Sequence, residues 1–287
     1  MSALMIFFST ASHLAESIFI KKYNARHSRG GFVFTALISF FSMLFFLFTD
    51  RDGFHLPDAL WGYAIVAGVL YCSASFLTYV ALKIGSYAMT MLILSYSIVI
   101  SIGYGLFFLN ERATVFTAIG LSLILISLYL VRAKKAEEKK DKISFWWLIC
   151  VGVSAIGSGM FGVVQRMQQI RFDNSCTNEF MVIALSISTV VLLVIGLIKN
   201  KGDFAYVMRH GVLWTAGAGL SNGATNAMVI FLHTLMPISL SSPIRVGVKI
   251  IMSFMLSVIL YREKLQKKQV VGVVLGALAL ILLNIKL

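Results

Sequence analysis

The sequence predicts an all-α integral membrane protein with ten transmembrane helices, arranged as two inverted five-helix repeats. Three observations carry that expectation: an apolar composition, apolar runs of spanning length at regular intervals, and a charged linker near mid-chain. Of 287 residues, 59% are hydrophobic and only 13% charged, and mean hydropathy is +0.87. Soluble domains carry about twice that charge density.

In order, the runs are Ala3–Ile20, Gly31–Thr49, Ala59–Leu82, Tyr87–Leu109, Val115–Val131, Phe145–Val164, Phe180–Ile198, Val212–Leu232, Ile238–Leu260 and Val270–Ile285. Each approaches the roughly 20 residues that an α-helix needs to cross the hydrocarbon core. The first has no basic region before it and no small-residue cleavage site after it. It therefore reads as a retained helix and not as a signal peptide. The linker RAKKAEEKKDK (Arg132–Lys142) divides the chain into residues 1–131 and 144–287, with 132–143 between them.

Several function classes find no support. Cys72, Cys150 and Cys176 lack metal-ligand spacing and read as packing residues. The five histidines form no HExxH, and no nucleophile elbow or glycine-rich phosphate loop appears. No catalytic residue, metal or cofactor is expected. The net charge of +13 sits mostly in loops and does not call for nucleic acid. With ten spans, the odd-numbered loops hold 18 Lys and Arg against 5 on the other side. The positive-inside rule makes the richer side cytoplasmic and places both termini outside.

An internal repeat links the halves. A shift of 152 residues lays Trp61–Leu130 over Leu213–Leu282 without a gap, with Glu111 on Glu263 and Gly120 on Gly272. Five spans per copy force opposite orientations, which is the architecture of secondary transporters with a midplane site. The stretches FFLNERATVFTAIGLSLILISLYL (Phe107–Leu130) and VILYREKLQKKQVVGVVLGALALILL (Val258–Leu283) resemble the repeat ends of EamA-type transporters. These belong to the drug/metabolite transporter superfamily. The shared mark is a short acidic turn between the fourth and fifth spans, then a glycine nine residues on. Lys21 and Lys22 closing the first span fit, as do Pro237, Ser241, Ser242 and Pro243 opening the ninth. The resemblance implies a central cavity enclosed by spans one, three, four, six, eight and nine. It also implies cytoplasmic termini, the reverse of the charge rule, and the size of the charge bias favours the latter.

The candidate site rests on buried charge. Arg245 and Lys249 share one face of the ninth span, and His13 and Glu16 lie in the first. A central Arg or Lys costs roughly 2.5–3.5 kcal/mol to insert, so two need a wet cavity, an acidic partner or a ligand. Glu16 falls within roughly 6 Å of Lys249 in depth, from the rise per residue. In one reading Glu16 and Lys249 are a structural pair and Arg245 lies in a wet vestibule. In the other the cations hold a substrate carboxylate or phosphate, with Arg245 suited to bidentate contact. Asn222 and Asn226, with Ser221 and Thr225 beside them, either line a pocket or bond neighbouring helices. Tyr71, Tyr79, Tyr96 and Ser95 are candidates for the other wall. QRMQQIR (Gln165–Arg171) reads as an interfacial anchor, and Glu111 and Glu263 as charge balance for the adjacent helix N-termini.

The function expected is secondary transport of a small polar organic metabolite, anionic or zwitterionic, by a multi-pass protein of the cell membrane. One alternative is a proton-coupled exporter of cations using Glu16, since small members of the superfamily work with one first-span acid. Another is a polytopic membrane enzyme. The partners expected are a small-molecule substrate and the lipid bilayer, with a coupling ion or proton and a homodimer left open.

Overall fold

The computed structural model describes residues 2–27, 29–49, 53, 55–84, 90, 93–94, 96–109, 115–131, 145–261 and 267–284. The charged linker, Ser95, Glu111 and Glu263 lie outside them. The described residues contain eleven helices and no strand. In chain order they are α1 (Ser2–Arg26), α2 (Gly31–Thr49), α3 (Asp58–Ile84), α4 (Ile98–Phe108), α5 (Val115–Val131), α6 (Phe145–Arg171), α7 (Thr177–Lys199), α8 (Gly202–His210), α9 (Val212–Leu235), α10 (Ile238–Tyr261) and α11 (Lys267–Asn284).

Five of them, α1, α2, α3, α6 and α7, are long and apolar enough to cross a membrane by length and composition. α9 and α10 reach 24 residues each but carry Asn222, Asn226, Arg245 and Lys249, which lower their apolar character. α4 and α5 are shorter, at 11 and 17 residues. The apolar side chains left outside match a lipid solvent: Phe107 and Leu213 are each 82% exposed. Water would penalise such surface, whereas acyl chains accept it.

The helices pack in pairs that exchange the two halves. α1 runs along α9 as α6 runs along α3, and α2 meets α9 as α7 meets α3. α2 pairs with α7, and α5 with α11. Small residues make the close crossings, as expected where lipid supplies no hydrophobic drive between helices. At Gly219 on α9 an added Cβ would lie 2.7 Å from the Ile38 carbonyl oxygen of α2. At Gly68 on α3 it would lie 2.9 Å from the Ala184 carbonyl oxygen of α7. Hydroxyls tie two further interfaces: Ser39 of α2 and Ser188 of α7 lie 3.1 Å apart, and Ser154 Oγ of α6 donates to the Ala74 carbonyl of α3 at 2.8 Å.

Two features depart from the sequence expectation. α8 lies in what reads as a plain loop. Asp203 in its first turn and Arg209 and His210 in its last complement the helix dipole. Val207 is buried, while Arg29 pairs with Asp203 and His27 Nδ1 lies 2.8 Å from Tyr206 Oη. The second departure is QRMQQIR, which continues α6 and is not a simple interfacial anchor. Gln165, Gln168 and Gln169 are all buried, and Gln169 Nε2 donates to the Ile230 carbonyl at 2.8 Å. Gln168 Nε2 likewise donates to the Ser175 carbonyl, so these amides serve backbone acceptors inside the protein.

Candidate functional site

A cavity of about 400 Å³ lies among α1, α2, α3, α4, α6, α9 and α10. Arg245, Lys249, Glu16, Asn222, Asn226 and Tyr71 all line it. Tyr79 does too, together with His13, Gln165 and His233. Tyr96 is absent from the lining and packs instead against the apolar cluster of Ile6, Ile124 and Ile244. Tyr96 and Ser97 form a turn that precedes α4.

The charged groups form a chain. Lys249 Nζ lies 2.8 Å from His13 Nε2. An ammonium can only donate, so Nε2 accepts and the ring proton sits on Nδ1. Nδ1 approaches Glu16 Oε2 at 3.3 Å. That approach lacks hydrogen-bond alignment, and Glu16 Oε2 is buried without a hydrogen-bond partner. The structure thus inserts His13 between Lys249 and Glu16, where the sequence suggested direct pairing. His13 carried a visible signal: it precedes Glu16 by one helical turn, so both face the same side of α1.

Asn222 organises the polar wall. Its Nδ2 donates to Glu16 Oε1 at 3.0 Å. Its Oδ1 accepts from Tyr71 Oη at 3.0 Å and from Asn226 Nδ2 at 3.0 Å. Ser42 Oγ lies 2.8 Å from the same oxygen and 2.9 Å from the Gly219 carbonyl, and its single proton serves one of them. The amide therefore lines the pocket and joins α1, α2, α3 and α9 at once. Sequence spacing offered those two roles as alternatives.

Arg245 stands apart. It lines the cavity one turn from Lys249, and among the described residues it makes no ion pair. Among the described residues the cavity wall therefore holds two cationic side chains and one carboxylate, with Lys249 already engaged through His13. Sequence reasoning missed Gln165 and His233. Both sit near the ends of long apolar runs, where polar residues are easily taken for interfacial ones.

Comparison with known proteins bears on the fold and the family. No curated protein matches the sequence. A solved crystal structure of a protein 13% identical in sequence covers 98% of this chain and 98% of its own, with a TM-score of 0.69. That likeness shows a shared fold. The model of the EamA-like transporter family matches twice, over residues 1–133 and 145–285. The chain therefore belongs to the EamA-like transporter family, a multi-pass membrane protein with one copy of the family unit in each half.

Proposed function

We propose that the protein is a secondary transporter that moves a small polar organic metabolite, anionic or zwitterionic, across the cytoplasmic membrane by alternating access through ten spans. One observation carries the reading. Arg245 faces the cavity without a counter-charge among the described residues, while Lys249 is engaged by His13. An unpaired guanidinium at membrane depth is costly, and an arriving carboxylate or phosphate offsets that cost. The idle Oε2 of Glu16 supports a zwitterion, since it can accept from an ammonium or hydroxyl of the same cargo.

The same idle oxygen favours a second reading, in which Glu16 alternately takes a proton and a cationic cargo. Proteoliposomes with purified protein separate the two. Counterflow of organic anions without a proton gradient is the expected result. Proton-driven efflux of cations, with no anion counterflow, would establish the second reading in its place.

A further inference from the structure

Where the anionic group sits follows from which polar atoms are already occupied; this inference rests on the anion reading just given. His233, near the end of α9, is 3% exposed, and neither Nδ1 nor Nε2 has a hydrogen-bond partner. Buried polar atoms are nearly always paired, so each exception needs a reason. His233 lines the same cavity as Arg245. An imidazole always has at least one N–H to donate. A buried, unpartnered donor that lines a cavity together with a guanidinium has the character of an anion ligand.

Three other polar groups of the cavity already have partners, Lys249 through one of its three N–H groups. Lys249 donates to His13, Asn222 Nδ2 to Glu16, and Tyr71 to Asn222. We propose that His233 and Arg245 form an oxyanion subsite that holds the carboxylate or phosphate of the cargo, and that Lys249 does not contact this group. The planar fork of Arg245 takes two oxygens and His233 donates to one of them. Lys249 then serves to hold His13 and Glu16, and the rest of the cargo extends toward Glu16. A molecule with an oxyanion at one end and hydrogen-bond donors beyond it fits this arrangement.

The test uses the purified full-length protein and four probes. Benzoate and phenyl phosphate carry the oxyanion, and benzamide and benzyl alcohol are their neutral counterparts. Thermal stabilisation against probe concentration gives apparent affinities. Wild type should bind the two anions in preference to the neutral pair. His233→Leu should weaken anion binding by about tenfold, the effect of losing one charge-assisted hydrogen bond. His233→Gln, which keeps an N–H donor, should retain most of the binding, and Lys249→Met should weaken it less than His233→Leu. Unaltered anion binding in His233→Leu, or an equal loss in Lys249→Met, overturns the subsite and leaves the anion reading standing. No preference for the anions in wild type overturns both. A measurement on wild type alone guards against a variant that does not fold. Phenyl phosphate should slow carbethoxylation of His233 by diethyl pyrocarbonate, read by peptide mass spectrometry, and an unchanged rate rejects the subsite.

Discussion

At Arg245 and Glu16, single atoms decide what the cavity does. Replacing Arg245 by Lys keeps the charge and loses the fork, and replacing it by Gln loses both. Apparent transport affinity for an anionic cargo should fall by about tenfold in Arg245→Lys and further in Arg245→Gln. Both variants should still insert and purify as one species, because Arg245 holds no other residue in place by an ion pair among the described residues. Glu16→Gln removes the carboxylate that balances Lys249 through His13. Breaking a fully buried pair costs about 3–5 kcal/mol. Here the loss should be smaller, because the His13 side chain is 34% exposed. Adding Lys249→Met should restore much of the loss in detergent melting. A fully stable Glu16→Gln protein that has lost pH-driven accumulation would move Glu16 to the proton role. Most of this wall was legible in the sequence: two cations one turn apart and a lone first-span acid stand out against an apolar background. His233 was not, because one histidine near a span end has no pattern until its neighbours are known.

Helices were legible where they are apolar and long, and less so where their partners set the outcome. α2, α3 and α7 follow from hydropathy alone. α8 does not: its nine residues form a helix beside Tyr23, His27 and Arg29 of the α1–α2 region, contacts that span about 180 positions of sequence. Tyr96 differs for a local reason: a turn at 96–97 precedes α4, and the ring packs against the Ile6 cluster. The glycine crossings give this scale its test. A methyl at Gly219 would meet Phe41 Cβ at 2.5 Å as well as the backbone of α2. Gly219→Ala should therefore destabilise the protein by about 1–3 kcal/mol, the usual range for overpacking. Gly62→Ala meets nothing within 4 Å. It should leave the melting temperature unchanged or slightly raised, since Ala is the better helix former. Equal effects of the two would mean that the α2–α9 crossing is not a close one.

For the whole molecule, orientation is the property that loop charge governs. In a background with Cys72, Cys150 and Cys176 replaced, Asp173→Cys and Lys201→Cys report the two faces. Asp173 follows α6 and Lys201 follows α7, and both are exposed. An impermeant thiol reagent on intact cells should label Asp173→Cys and spare Lys201→Cys. The reverse pattern would put the lysine-rich loops outside and both termini in the cytoplasm.

The polar chain through His13, Glu16 and Asn222 also imposes a timetable on synthesis. Glu16 enters the bilayer with α1, but Asn222 is 206 positions further along and Lys249 is 236 beyond His13. At about 5–20 residues per second, Glu16 waits on the order of ten to fifty seconds for its partners. Through that interval the newborn first helix carries an uncompensated acidic group that the insertion machinery or neighbouring lipid must tolerate. Neither half made alone could ever end the wait, because the first supplies the acid and the second supplies the amide and the ammonium.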